Sequence, residues 1–493
     1  MAGAAATVAV RGATAIPTVD EKEGRGPRRR QRAPTAKPLV DDGRRHPRGP
    51  VGGSHLTAPG TPRLTSHRLT TLDSGVRVVT EAMPSVRSVA LGFWIATGSV
   101  AESDAEAGLS HLVEHMLFRG TARYGSLEID QLFDALGGEL NAGTGKESTT
   151  VHARVLDERL PEAFDVMADM VWRPRMEAGD LDAERRIVLE ELAMYEDDPQ
   201  DKVFDVLGEA VFGTHPLGRA IIGSPEVIGG VAAGDLAAFH AGHYRPGNVV
   251  IAAAGSVDHD ALVELARAAD PGADGGGPGV AGAVDPPGEQ PARVRFVHKP
   301  TEQVHLCLGG PGIDRHDERR FALRVLDTIV GGTSSSRLFQ QVREERGLAY
   351  SVHSFHATFA HTGEVGLYLG TRPDNVAPAL QVVGDELARL LDGGVTPDEL
   401  ARAREHVKGR LVLGLESTMA RMSRLGVSLL GDVPLLELDE LLERVEAVDA
   451  DEVDALARAL LDPARLSAAG IGDDEAAFRA ALAPVSPALA AAA

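Results

Sequence analysis

The chain has 493 residues, too many for one ordinary domain, and its 43% hydrophobic content is enough for a substantial core. A single cysteine, Cys307, excludes an internal disulfide framework and any multi-cysteine metal cluster. The net charge of −22 divides into a surplus of eight positive charges over residues 1–70 (13 Lys/Arg against 5 Asp/Glu) and −30 over the rest, an acidic body that disfavours nucleic acid and favours cationic ligands such as basic peptides.

Residues 1–66 are dense in Pro, Gly and Arg, as in GRGPRRRQRAP, and lack apolar periodicity, which predicts a disordered basic tail. The tail has no continuous apolar core of a secretory signal, and Asp20, Glu21 and Glu23 come too early for a mitochondrial transit peptide. A bacterial cytoplasmic location is therefore expected in preference to the mitochondrial matrix. No apolar run reaches the roughly 20 residues of a membrane span, so no membrane partner is expected.

Order is expected from Leu69. GVRVVTEA alternates like a strand, and SVALGFWIATGS reads as a second, buried one. A helix carrying SHLVEHMLF follows, then a helix over LEIDQLFDALGG that ends on a capping glycine pair. Next come the strand STTVHARVL and helices around PEAFDVMADMVW and LDAERRIVLEELAMYEDD. The Pro/Gly-rich stretch 270–291 predicts a linker between a first domain, 67–269, and a second, 292–485.

The two parts read as distant repeats. VHLCLGGPGI matches VALGFWIATGS, FALRVLDTIVGGTSSSRLFQQV takes the place of the SHLVEHM region, and VTPDELARAREHVKGRLVLGLES matches the MEAGDLDAERR helix. The strand YSVHSFHAT is paired with STTVHARVL. In the second copy the helix reads LRVLDTI, without histidine, so chemistry is expected in the first copy only.

That chemistry centres on His111, Glu114 and His115. Helical positions i and i+4 lie about 40° apart around the axis, so both imidazoles can reach one ion with Glu114 beside them. Neutral imidazoles bind zinc, and a neighbouring carboxylate can take a proton from water. A third ligand is needed, and the helix ERRIVLEEL offers Glu184, Glu190 and Glu191. Glu184 and Glu191 share a face, seven residues apart, while Glu190 points about 100° away.

With these motifs the chain resembles the pitrilysin/insulin-degrading enzyme family of zinc peptidases, and most its mitochondrial processing peptidase and bacterial processing-protease branch, over about residues 69–480. In that family a glutamate ligand follows the second His of HxxEH by some 76 residues in an E-R-x-x-x-x-x-E helix; here that position is Glu191, and Glu184 opens the motif. The resemblance implies one zinc per chain held by His111, His115 and Glu191, with Glu114 as base and Glu184 orienting a ligand histidine. It makes GGELNAGTGKESTT a substrate-pairing edge strand in which Asn141 and Ala142 hold the peptide backbone. Gly143 stands where many relatives carry a bulkier residue. It also matches Arg343 and Tyr350, in GGTSSSRLFQQVREERGLAYSV, to an Arg/Tyr pair that stabilises the oxyanion. His215, His240 and His243 fall in framework segments.

The expected fold is α+β: two homologous domains, each a mainly antiparallel sheet packed with helices, forming a clam-like chamber on homodimerisation. The expected function is a zinc metalloendopeptidase acting on short or unfolded, basic peptides. The alternative is a non-catalytic subunit of the processing-peptidase kind, against which the intact HxxEH and Glu191 weigh, or a catalytic subunit that requires a different partner chain, which stays open.

Overall fold

The computed structural model describes residues 67–272, 284–288 and 290–491, so the expected basic tail and much of the expected linker lie outside the described residues. In chain order the first half holds β1 (Arg68–Thr71), β2 (Arg77–Ala82), β3 (Ser88–Ile95), α1 (Leu109–Leu117), α2 (Ser126–Leu136), β4 (Glu139–Thr144), β5 (Thr149–Leu156) and α3 (Leu160–Trp172). It continues with α4 (Ala178–Asp197), α5 (Pro199–Phe212), α6 (Pro225–Gly230), α7 (Ala233–His243), β6 (Val249–Gly255) and α8 (His259–Ala269). The second half holds β7 (Val294–His298), β8 (Val304–Gly312), α9 (Arg320–Val330), β9 (Ser351–Thr358), β10 (Gly363–Thr371), α10 (Val376–Gly393) and α11 (Pro397–Gly414). It closes with α12 (Thr418–Leu430), α13 (Leu438–Ala447), α14 (Ala450–Leu460), β11 (Ser467–Gly472), α15 (Glu475–Ala481) and α16 (Pro487–Ala491).

The strands form two sheets, β1-β2-β6-β3-β5-β4 and β7-β11-β8-β10-β9. Each is antiparallel except for one parallel pair, β2 with β6 and β7 with β11. This is the two-domain α+β fold expected from the sequence. β3 shows why its sequence reads as one apolar run: both faces are covered. Val89, Leu91, Phe93 and Ile95 face the core that includes α1 and α3, while Ala90 and Trp94 face α12.

The packing crosses the chain's midpoint in both directions. Val203, Leu207 and Val211 of α5 pack with Cys307, Tyr368, Ala469 and Ile471 of the second sheet. In return, Met422 and Leu425 of α12 pack on Val79, Trp94, Val250 and Ala252 of the first. Each half lends one helix to the other's sheet. A Cβ at Gly426 of α12 would come within 2.1 Å of Trp94 Nε1, so only glycine allows that approach.

Sheet position corrects one expected correspondence. YSVHSFHAT is β9, the edge of its sheet, and so matches the edge strand β4; the strand matching β5 is β10. Alternation of apolar residues reveals which faces a strand buries but not which neighbours it pairs with. Among the described residues no helix is long and apolar enough to cross a membrane.

Candidate metal centre

Helix α1 buries Leu109, Leu112, Val113, Met116 and Leu117 on a stripe of helical period, leaving His111, Glu114 and His115 to a shared side. Its start is tightly set. Gly108 takes φ 101°, a left-handed value that favours glycine, and the Glu102 carboxylate accepts from the Gly108 and Ser110 N–H groups at 2.9 and 2.7 Å.

Helix α4 packs against α1 and brings up the third donor. His111 Nε2 and His115 Nε2 lie 3.3 Å apart, and Glu191 Oε2 lies 3.9 and 3.6 Å from them. Among the described residues this is the one group of three His, Cys, Asp or Glu donors converging in this way. A tetrahedral ion with bonds of about 2.0–2.1 Å separates its ligand atoms by about 3.3–3.4 Å, so the three fit a metal ion without rearrangement of the helices. Glu190, by contrast, is exposed on the outer side of α4.

The surroundings fix the orientation of the donors. His115 Nδ1 donates to Glu184 Oε2 at 2.9 Å, which leaves the Nε2 lone pair turned toward the cluster. Glu184 is also paired with Arg119. Burial, together with the charge of His115, pushes the His111 pKa down to about 3 and keeps that imidazole neutral. Burial alone would lower His115, but its hydrogen bond to Glu184 and the charges of Glu114, Glu184 and Glu191 raise it. Burial raises Glu114 against the pull of Thr144 and His115, and raises Glu191 against that of His115. The carboxylates of Glu114, Glu184 and Glu191 all act on His115, and this negative surrounding favours a cation at the cluster.

Glu114, 4% exposed, sits between the cluster and β4, where Thr144 Oγ1 donates to its Oε2 at 2.5 Å. Among the described residues β4 pairs with β5 alone, Asn141 opposite His152 and Ala142 opposite Val151, so its other edge is open. Asn141 Oδ1 accepts from the Ala142 N–H at 2.8 Å, and the Ala142 methyl faces the core. Nothing lies within 4 Å of a Cβ built at Gly143, which leaves open space beside the strand.

Among the described residues Arg343 and Tyr350 contact each other and make no contact with the cluster. Arg343 Nη1 donates to the Tyr350 carbonyl at 2.8 Å, and its guanidinium lies 4.4 Å from the Tyr350 ring centre. Tyr350 is 78% exposed. His215 and His240 bond to the backbone carbonyls of Asp285 and Val171, each at 2.9 Å, while His243 lies against the Phe239 ring.

Sequence reasoning missed Glu102, Arg119 and Thr144. Arg119 stands four residues after His115, the helical spacing that would have flagged it. Thr144 stands two after Ala142 and therefore on the same strand face. Glu102, six residues ahead of Gly108, follows no local capping spacing and carries no such signal.

A family model described as insulinase (peptidase family M16) matches residues 77–225, and one described as the peptidase M16 inactive domain matches residues 230–407. The chain is 44% identical to a Streptomyces coelicolor protein named as an uncharacterized zinc protease, over 80% of this chain and 87% of that one. It is 40% identical to a Bacillus subtilis protein with the same description, over 79% and 94%. A crystal structure described as the peptidase M16 inactive domain from Pseudomonas fluorescens superposes with a TM-score of 0.77 at 26% identity, covering 83% of this chain and 98% of that one. A Helicobacter pylori protease shares the fold, with a TM-score of 0.77 at 21% identity over 83% and 100%. The chain belongs to the insulinase family of peptidases, M16.

Proposed function

We propose that this protein is a zinc metallopeptidase, with His111, His115 and Glu191 as the ligands of one zinc ion per chain. The observation that carries the reading is the convergence of two imidazole nitrogens and one carboxylate oxygen at tetrahedral spacing, with a buried glutamate beside them. The description of the relatives as zinc proteases supports the choice of metal. Zinc, when bound, supplies Lewis-acid polarisation of water and of the scissile carbonyl.

The chain's own residues do the rest. A peptide adds to the open edge of β4, with Asn141 and Ala142 holding its backbone by strand pairing. Glu114 takes the proton of the attacking water and returns it to the leaving amine. Glu184 holds His115 in the ligating tautomer through Nδ1. Arg343 and Tyr350 supply donors to the developing oxyanion. The exposure of Tyr350, with no contact from either residue to the cluster of their own chain among the described residues, supports a homodimer in which each chain's pair serves its partner's site. The −30 charge over residues 71–493 favours basic peptides, and a chamber closed by dimerisation would admit short or unfolded ones.

Metal analysis together with cleavage of a mixed peptide library tests this, comparing wild type with Glu114→Gln. The expected result is one zinc in both proteins and cleavage by the wild type alone. Cleavage by Glu114→Gln removes the base assignment; a zinc-free wild type removes the metal centre. Zinc with no wild-type cleavage would favour a non-catalytic subunit.

A further inference from the structure

Glu114 has one hydrogen-bond partner among the described residues, the Thr144 hydroxyl, which donates to Oε2. Both side chains are buried, Thr144 at 3% exposure, so no bulk water competes for that bond. Thr144 is the last residue of β4 and is held from several directions. It pairs with Thr149 of β5, whose own hydroxyl donates to the Thr97 carbonyl at 2.9 Å. The turn that follows is fastened to the loop leading into α1 by Ser99 N–H to the Gly145 carbonyl at 3.2 Å and Val100 N–H to the Lys146 carbonyl at 2.9 Å. The second half grips the same turn: Glu147 pairs with Arg315 and accepts from the Ala360 N–H at 3.0 Å.

We propose that Thr144 is the positioning residue for Glu114, its hydroxyl holding Oε2 so that Oε1 is the atom that moves the proton. The inference rests on the reading of Glu114 as the base. In the forward step a water O–H bond breaks, its electron pair stays on the oxygen that attacks the carbonyl, and the proton goes to Oε1. When the C–N bond breaks, the leaving nitrogen takes that proton and Glu114 is again a carboxylate. Oε2 accepts from Thr144 throughout, because a carboxyl protonated on one oxygen keeps an acceptor on the other. Without the hydroxyl the carboxylate is free to turn about its terminal torsion, which is broad and soft for a glutamate.

Thr144→Val keeps the branched shape and removes the donor; Thr144→Ser keeps the donor. A hydrogen bond to an ionised group is worth enough that Thr144→Val is expected to lower kcat about 10- to 100-fold. Zinc content should stay at one per chain and KM within about twofold, while Thr144→Ser recovers kcat to within about threefold. Thr144→Ala provides the same comparison if Thr144→Val fails to fold. Wild-type kcat in either hydroxyl-free variant, alongside an inactive Glu114→Gln, overturns the role of Thr144 alone. Activity in Glu114→Gln overturns the base reading beneath it. Loss of zinc together with kcat would also overturn the inference, because Thr144 would then be supporting the metal site and not the proton transfer.

Discussion

The two halves carry the same helix pair, α1 with α4 and α9 with α11, but with different residues facing between them. Aligned on the Gly-Thr that follows each helix, Gly120-Thr121 and Gly332-Thr333, α9 carries Leu323, Leu326 and Asp327 where α1 carries His111, Glu114 and His115. Aligned on Leu181 and Leu400, α11 carries Ala403 and Arg410 where α4 carries Glu184 and Glu191. In the second half Leu323 and Leu326 join the core, and Asp327 accepts from Ser354 of β9 at 2.5 Å. Ala403 and Gly332 line a cavity of about 310 Å³ there. The architecture therefore persists without any of the residues that converge in the first half. Its stability comes from the apolar stripes of the helices and the exchanged α5 and α12, a frame that does not need the cluster of His111, His115 and Glu191.

The sharpest way to break this comparison is to alter equivalent positions. His115→Ala should abolish both zinc binding and cleavage, whereas Asp327→Ala should leave the zinc content at one per chain, as read by metal analysis. Zinc lost from the second-half variant would mean that the halves share one site. Next in size is the helix exchange. Arg421 of α12 is buried against Glu81 of β2, and Arg421→Met would strand that carboxylate beside the more distant Arg424. The expected cost is about 3 kcal/mol, seen as a lower unfolding midpoint with or without zinc. An unchanged midpoint would show that α12 is held by its apolar face alone.

Smaller still is the effect of Glu184, whose counterpart is Ala403. Glu184→Gln keeps an acceptor for His115 Nδ1 but removes the charge, so zinc affinity should fall about 10- to 100-fold in competition with a chelator. The pairing with Arg119 is weakened as well, so stability should fall, but by less than in Arg421→Met, because Arg119 is partly open to solvent. A large loss of stability would make Glu184 a structural residue that happens to lie beside a ligand.

What was legible in the sequence follows the range of the interactions. His111, Glu114 and His115 are set by one helix turn, and their convergence could be read from spacing alone. Glu191 needed a second helix, and the choice among Glu184, Glu190 and Glu191 rested on the family resemblance; the geometry brings Glu191 Oε2 to the pair and Glu184 to the far nitrogen of His115. The strands β2, β3 and β5 announced themselves by alternation, but the place of β9 in its sheet did not, because pairing order is a long-range property. The exchange of α5 and α12 was invisible for the same reason: each is amphipathic, and nothing in an apolar stripe says which sheet it will cover.

The smallest predicted effect sharpens the comparison most, because it lies where the halves meet at the site. Glu147 belongs to the hairpin of Thr144, and its partners Arg315 and Ala360 belong to the second half. If the second half serves only as a scaffold, weakening this link should be silent. If it holds the hairpin in register for Glu114, Glu147→Gln should lower kcat by a few-fold, since the amide oxygen still accepts from Ala360 but the ion pair, partly open to solvent, contributes no more than about 1 kcal/mol. Steady-state kinetics at low and high salt separate the two readings. Screening should bring wild type toward Glu147→Gln if the ion pair matters, and should move both equally if the hairpin is set by hydrogen bonds alone.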